Sequence, residues 1–236
     1  MRLAMFGATG RAGRVVLERA LQDGHEVHAL TRDATQIEPR PRLHVVEGDV
    51  RDSAAVARTI DGADAIVSTL ARPRRGPDIC TEGIRSILTV APADARLVVL
   101  SNYGVAASRH RTAYVAVSWL LERAVLQDKE QMEALIRAGG TAWTVVRAPI
   151  LTNGPETGRL RAGTDLRLSF TAKVSRADLA GFILTELRAN RYRSRSVTVT
   201  TEPGRRPEPQ PEPPRSTVDA LPQTASFRKI RSRRPR

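Results

Sequence analysis

The 236-residue sequence predicts an α/β fold with a doubly wound, mainly parallel sheet. Two observations lead to this expectation. Over residues 1–200, short apolar segments alternate with amphipathic segments, which is typical of parallel strands joined by crossover helices. The first apolar segment, residues 3–6, is followed at once by glycines at positions 7, 10 and 13 and then by a helical pattern. A strand, a glycine turn and a helix in this order indicate a single Rossmann-like domain.

The elements follow from the same patterns. Apolar segments predict strands over residues 3–6, 26–30, 43–47, 65–68, 97–100 and 143–147, with a further short strand over 196–200. Helical periodicity predicts helices over residues 14–23, 54–60, 81–90, 115–125, 128–138 and 176–190, and the segments 115–125 and 128–138 could be continuous. After residue 200 the sequence becomes rich in proline and arginine and cannot form a core. We therefore expect one domain, residues 1–200, and a disordered tail, residues 201–236.

The net charge of +13 comes almost entirely from arginine, since lysine occurs only at positions 129, 173 and 229. This bias is typical of codon usage in a GC-rich genome, so the charge alone does not indicate nucleic-acid binding. The basic tail leaves a nucleic acid or another acidic partner open. Because Phe227 is the only aromatic residue of the tail, and single-strand binding relies on aromatic stacking, we do not expect a nucleic-acid partner.

Several classes of protein are excluded by what the sequence lacks. The single cysteine, Cys80, cannot form an intramolecular disulfide, which favours a reducing compartment. The first strand begins almost at Met1, and no apolar stretch approaches the length of a membrane span. The histidines at positions 25, 28, 44 and 110 do not have the spacing of metal ligands. We expect a cytoplasmic protein without a membrane segment or a metal.

The glycine turn carries the clearest chemical signal. Gly7 permits a sharp turn out of the strand, Gly10 lets the backbone approach a phosphate, and Gly13 lets the helix pack closely on the sheet. The N–H groups and the positive dipole end of the following helix favour phosphate charge. The sequence therefore predicts a dinucleotide site at this turn.

The ends of the second and third predicted strands add to this site, because ligands of such sheets bind outside the carboxyl ends of the strands. Arg32 follows the second strand, where a guanidinium suits the 2′-phosphate of NADP and an acidic residue would suit NAD. Asp49 and Val50 follow the third strand and could contact an adenine. We expect NADP(H) as the cofactor, with NAD(H) as the alternative.

The chain resembles the atypical short-chain dehydrogenase/reductase superfamily. The resemblance rests on Phe-Gly-Ala-Thr-Gly-x-x-Gly at the N-terminus and on Thr31-Arg32-Asp33, Gly48-Asp49-Val50, Thr81-Glu82-Gly83, Val146-Arg147-Ala148-Pro149 and Val174-Ser175-Arg176-Ala177-Asp178-Leu179-Ala180. Within the superfamily the chain is most similar to the NAD(P)H-binding, NmrA-like group that includes biliverdin-IXβ reductase, also called NADPH flavin reductase. The resemblance covers residues 1–200.

The resemblance implies a role for each matching position. It implies that the pyrophosphate is held by Gly7, Thr9, Gly10, Arg11, Ala12 and Gly13, the 2′-phosphate by Arg32, and the adenine by Asp49 and Val50. Leu70 and Ala71 would border the ribose, and the nicotinamide site would be formed by Ser101, Pro149 and Ile150. Lys129 would touch the nicotinamide ribose, and the catalytic residues would be Lys129, Ser101 and Tyr103.

The implied activity is hydride transfer from NAD(P)H to a flavin, a quinone or a similar conjugated acceptor. The pair Tyr-x-x-x-Lys of standard short-chain dehydrogenases is absent, which argues against alcohol–ketone chemistry, whereas reduction of a flavin mainly requires alignment of two flat rings. The alternative is a non-catalytic, NmrA-like sensor of NADP(H). The acceptor stays open, because the loops over residues 72–79 and 152–170 that would contact it carry no specific motif.

Overall fold

A twisted sheet of eight strands forms the centre of the computed structural model, which describes residues 1–73, 75–110 and 112–202. The described strands are β1 (Arg2–Phe6), β2 (Glu26–Thr31), β3 (Leu43–Glu47), β4 (Ala65–Ser68), β5 (Arg96–Asn102), β6 (Ala142–Ala148), β7 (Ile150–Thr152), β8 (Leu160–Gly163), β9 (Lys173–Ser175) and β10 (Arg195–Thr201). The described helices are α1 (Arg11–Gln22), α2 (Ser53–Ile60), α3 (Ile79–Val90), α4 (Ala113–Ala138) and α5 (Arg176–Ala189).

The strand order is β3-β2-β1-β4-β5-β6-β10-β8, and β8 at one edge is antiparallel to its neighbour β10. The other neighbours in the sheet pair in parallel, while β7 and β9 form a separate parallel pair. The chain order reverses between β1 and β4. This is the doubly wound topology that the sequence predicts, and its switch point lies beside β1, where such sheets bind ligands.

Two apolar layers cover the sheet, one on each face. Side chains of successive β1 residues point to opposite faces, so Leu3 and Met5 pack against α1 and α5, while Ala4 and Phe6 pack against α2, α3 and α4. All four are at most 1% exposed. Burial on both faces explains why the central strands have continuous apolar sequences rather than alternating ones. The strands therefore present only their carboxyl ends, and the loops that follow them, to a ligand.

The structure differs from the sequence expectations most clearly at the start of α1 and in the loop over residues 152–170. Helix α1 begins at Arg11, directly after the glycine turn, rather than at residue 14. The helical segments predicted over residues 115–125 and 128–138 are continuous, as the sequence left open, and form α4, which is kinked at Glu122, whose φ of −129° and ψ of 29° are not helical. The loop expected over residues 152–170 contains the end of β7 and all of β8.

Residues Met1–Glu202 form one compact unit. The tail proposed from the sequence, apart from its first two residues, lies outside the described residues, and Thr201 ends β10. Among the described residues, no helix combines the length and the apolar character needed to cross a membrane.

Candidate functional site

The glycine turn between β1 and α1 is packed too tightly at Gly7 and Gly13 for any residue that has a Cβ atom. Gly7 has a φ of +84°, and a Cβ atom there would lie 2.9 Å from the backbone nitrogen of Leu70. A Cβ on Gly13 would lie 2.0 Å from the Gly7 carbonyl oxygen, so helix and strand could not approach as they do. The Gly10 N–H donates to the Gly7 carbonyl at 3.1 Å and closes the turn. The predicted roles of Gly7 and Gly13 in shaping the backbone are therefore physical requirements of this turn.

Among the described α-helices, α1 differs in that no side chain accepts a hydrogen bond from its first N–H groups. Its N-cap is Gly10, and its first turn contains no acidic residue. Asp52, Thr112 and Ser175 cap α2, α4 and α5, and the carboxylate of Asp128 accepts from the first N–H groups of α3. The first N–H groups of an uncapped helix have no intrahelical acceptor and carry positive charge. The turn thus fits an anion such as a pyrophosphate.

A narrow cavity of about 230 Å³ lies on one side of this turn, along the ends of β1, β2 and β3. Its lining includes the predicted residues Gly7, Thr9, Gly10, Arg32, Asp49, Val50, Leu70 and Ala71. Gly83 of α3 packs closely beneath it, since a Cβ there would lie 2.6 Å from a Leu70 methyl group. The cavity therefore unites residues that the sequence placed after four separate strands.

The charges of the narrow cavity are those of two arginines and one neutralised carboxylate. Both oxygens of Asp49 accept from the Arg51 guanidinium at 2.8 Å, and this hydrogen bonding is the main cause that lowers the pKa of Asp49 to about 2. The Asp33 carboxylate instead accepts from Thr35 and Gln36 in the following turn. Arg32 and Arg51 both line the cavity. The sequence analysis missed Arg51, although its position two residues after Asp49 was a usable signal.

A wide cavity of about 800 Å³ begins on the other side of the turn and shares Gly10, Thr69, Leu70 and Ala71 with the narrow one. Its lining includes the predicted residues Arg11, Ala12, Ser101, Lys129, Pro149 and Ile150. Four large apolar side chains on its wall are strongly exposed, namely Val117 (41%), Leu121 (64%), Ile150 (54%) and Phe170 (60%). An elongated ligand could therefore extend from the narrow cavity past α1 to an apolar wall.

Lys129 is buried at the floor of the wide cavity and is only 3% exposed. Its ammonium group donates to the carbonyl oxygens of Leu70 at 2.7 Å and Leu100 at 2.8 Å. These carbonyls lie after β4 and near the end of β5, so the side chain connects two adjacent strands next to the switch point. An ammonium group has three donors, which leaves one beyond these two bonds, and the Cys80 thiol is also within hydrogen-bonding reach of this group.

Ser101 is held by a buried network of charged groups. Its hydroxyl donates to Glu133 Oε1 at 2.7 Å, and Glu133 is fully buried. The same carboxylate accepts from Arg147 Nη2 at 2.6 Å and from Arg137 Nη1 at 3.1 Å. The Ser101 hydroxyl proton is therefore directed away from the wide cavity. The lone pairs of its oxygen stay available to accept a hydrogen bond from a ligand.

Tyr103 does not occupy the position expected of a catalytic residue. Its side chain is 1% exposed and packs with Val115 and Leu168, and its hydroxyl accepts from the Leu168 N–H at 3.1 Å. It is not among the residues that line either cavity. The loop that precedes β9 covers the ring and removes it from the site, which corrects the expectation that Tyr103 faces the acceptor.

The structure also brings together a group that the sequence spacing did not suggest. Ligand atoms of Glu26, His28 and His44 lie within 4.8 Å of one another, because the parallel register places His28 opposite His44. The Arg2 guanidinium donates to the same Glu26 oxygen at 3.0 Å, close to the 3.1 Å that separates it from His28 Nε2. A cationic group already neutralises this carboxylate, so we assign no metal to the cluster.

The fold and the two cavities are those of a dinucleotide-binding protein. The family model described as NAD(P)H-binding matches residues 7–190, and the chain therefore belongs to this NAD(P)H-binding family. An uncharacterised Bacillus subtilis protein, YwnB, is 23% identical over 86% of this chain and 99% of its own length.

Solved structures share the fold at low sequence identity. ChuY from Escherichia coli O157:H7, described as an anaerobilin reductase, superposes with a TM-score of 0.71 at 21% identity, over 88% of this chain and 100% of its own. SP1627 from Streptococcus pneumoniae TIGR4, described as a candidate NADH-flavin reductase, has a TM-score of 0.71 at 19% identity, over 86% and 100% of the two chains. These likenesses confirm the Rossmann-like architecture.

Proposed function

We propose that the chain is an NAD(P)H-dependent reductase, with a preference for NADPH, that transfers hydride to a flavin, a quinone or a similar conjugated acceptor. The observation that carries this proposal is the apolar wall of the wide cavity. Large apolar side chains are rarely left so exposed in a cluster unless they contact a partner or a ligand. A flat conjugated ring placed against Leu121, Ile150 and Phe170 would cover them.

The cofactor would be held by the residues whose geometry fits it. The uncapped N-terminus of α1 and the tight glycine turn would bind the pyrophosphate. The narrow cavity would bind the adenosine, with Val50 and Leu70 against the ring. The Lys129 ammonium group, through its third donor, would contact the ribose on the nicotinamide side. When bound, the reduced nicotinamide supplies a hydride, and solvent supplies the proton that completes reduction of the acceptor.

The protein residues beside the wide cavity are suited to positioning rather than to proton transfer. The Ser101 proton is engaged by Glu133, and the Lys129 ammonium group is engaged by two carbonyls. No tyrosine is among the described residues that line the cavity. A site of this kind accelerates a reaction by holding two rings in register and by excluding water.

The preference for NADPH is supported by the charges of the narrow cavity. Arg32 and Arg51 line it, and the only carboxylate among its described lining residues, Asp49, is paired with Arg51. A free carboxylate would instead favour the 2′-hydroxyl of NAD. Replacement of Arg32 by glutamine should weaken NADPH binding on the order of ten-fold or more and leave NADH binding unchanged. Titration of both cofactors by fluorescence measures this ratio.

The activity itself is tested by following oxidation of NADPH and NADH with FMN, FAD and a simple quinone. Saturable turnover is expected. Leu121→Ser should raise the acceptor KM by roughly five-fold, the size of a lost partial apolar contact. Leu120→Ser is the matched control, because Leu120 is 81% exposed on the same helix but does not line the cavity. Tight NADPH binding without turnover would contradict the reductase and favour the NADP(H) sensor.

A further inference from the structure

Arg176, the first residue of α5, is an arginine that the proposed cofactor site does not use. It lines the wide cavity and not the narrow one, and it directly follows β9, which pairs with β7, the strand that begins at Ile150. Its Nη1 donates to the side-chain oxygen of Asn153 at 2.6 Å. Asn153 follows β7 in the segment that leads to β8, so Arg176 is tied to the wall where we place the acceptor.

The Arg176 guanidinium is incompletely satisfied. Its Nε atom is buried and has no hydrogen-bond partner. Among the described residues Asn153 is its hydrogen-bond partner, and no carboxylate pairs with it. Burial, and then the nearby charge of Arg11, lower the pKa of Arg176. A buried donor without an acceptor is costly, and a second positive charge beside it adds to that cost.

The wide cavity as a whole carries an excess of positive charge. The cationic residues on its wall are Arg11, Arg72, Lys129 and Arg176, and the one acidic residue among its described lining residues is Glu122. Glu122 is exposed at the kink of α4. The Lys129 ammonium group is already bound to carbonyls, and Arg11 lies at the uncapped end of α1, where we place the pyrophosphate. Arg72 is paired with the Asp78 carboxylate at 2.8 Å. Arg176 therefore remains as the cation of this wall for which the described residues supply no carboxylate.

We propose that Arg176 is a specificity-determining residue, and that it binds an acidic substituent, a phosphate or a carboxylate, on the conjugated acceptor. The apolar wall takes the ring system, and the Arg176 guanidinium, held in place by Asn153, binds the acidic group through its remaining N–H groups. A guanidinium suits both anions because its planar donors match their oxygens. This inference rests on the proposed reductase function, since it concerns the acceptor of that reaction.

The test compares acceptors that differ only in the acidic group. FMN and riboflavin differ in one phosphate, and a naphthoquinone carboxylate differs from its methyl ester in one negative charge. The parent protein should have a KM for FMN lower than that for riboflavin by on the order of ten-fold or more, and the quinone pair distinguishes a carboxylate from a phosphate site. Arg176→Gln should abolish the preference by raising the KM of the charged acceptor, with the riboflavin and NADPH values unchanged.

Arg188→Gln is the matched control, because Arg188 is an exposed arginine in the last turn of the same helix. Equal KM values for the charged and uncharged acceptors in the parent would overturn the inference. So would an Arg176→Gln variant in which the NADPH KM rises equally with every acceptor, since Arg176 would then serve the pyrophosphate. If no acceptor is reduced, the reductase proposal fails, but the inference about Arg176 can still be tested by binding. Quenching of flavin fluorescence then measures whether FMN binds more tightly than riboflavin and whether Arg176→Gln removes this difference in affinity.

Discussion

Replacement of Lys129 by methionine separates the two roles that the structure gives to this side chain. Methionine keeps a linear apolar stem of similar length and removes the ammonium group. The Leu70 and Leu100 carbonyls, which accept from Lys129 at 2.7 and 2.8 Å, would lose a charged donor. Each such bond contributes about 1.5–3 kcal/mol, and relief of the buried charge offsets part of the loss.

We therefore expect the Lys129→Met variant to lose about 2–3 kcal/mol of unfolding free energy, which corresponds to a fall in Tm of roughly 5–10 °C for a domain of this size. Thermal and urea denaturation measure this loss. Lys173→Met is the control, because Lys173 is exposed on β9 and its ammonium group should contribute little. A Lys129→Met variant as stable as this control would refute the assignment of Lys129 as a connection between β4 and β5.

The functional role of Lys129 is read from the same variant at a temperature where it is fully folded. If its third donor contacts the nicotinamide ribose, the KM for NADPH should rise by about ten-fold, in line with one charge-assisted hydrogen bond. A destabilised variant with an unchanged KM would restrict Lys129 to a structural role. The two measurements thus have independent outcomes.

Three further predictions concern other parts of the chain. Gly13→Ala should abolish NADPH binding and destabilise the fold by roughly 2–4 kcal/mol, because the new Cβ would lie 2.0 Å from the Gly7 carbonyl oxygen. Gly140→Ala is the control, because a Cβ there has nothing within 4 Å, and it should change neither the calorimetric stability nor the cofactor titration. Asp178→Asn should cost on the order of 2 kcal/mol in urea denaturation. Burial alone would raise the pKa of Asp178, but its hydrogen bonds lower this pKa overall. The stabilisation by Asp178 should therefore be constant above about pH 5 and decline as the pH falls through the lowered pKa. If the unfolding free energy of Asp178→Asn fell with acid just as that of the parent protein does, the result would contradict this. The NADPH-to-NADH affinity ratio should rise as the pH increases through about 6, where a phosphate monoester gains its second charge, and Arg32→Gln should flatten this rise, which titrations from acid to neutral pH can measure.

Much of the fold could be predicted because the central strands are buried on both faces. The six apolar segments and the strand after residue 195 all pair in the sheet, with boundaries that agree to within a few residues. The short strands β7, β8 and β9 were not predicted. They are no longer than β4 or shorter, but unlike β4 they are not buried throughout, and their pairing depends on partners elsewhere in the chain, such as β10 for β8.

The candidate site was predicted where backbone geometry creates it. Gly7, Gly10 and most of the predicted residues after the strands are placed by topology, so they line the cavities, whereas Gly13 lines neither. Side chains whose role depends on distant contacts were harder to predict. Tyr103 follows β5 as a site residue would, but the packing of Leu168 against it is set by a loop more than sixty residues away. Arg176 belongs to a motif that we noted, yet only the structure reveals its unpaired Nε atom.

The segment between β7 and β9 is fixed at its two ends by groups outside it. The Asp178 carboxylate accepts from Thr157 and from the Gly158 N–H near one end, and the Tyr103 hydroxyl accepts from the Leu168 N–H near the other. Both anchors belong to the rigid body of the domain, and neither lines the two cavities. Between them, β8 pairs with β10, so the segment is also held in the sheet. Phe170 lies beyond the second anchor and lines the wide cavity but not the narrow one. The wall that we propose for the acceptor can therefore vary at this position while the glycine turn stays unchanged.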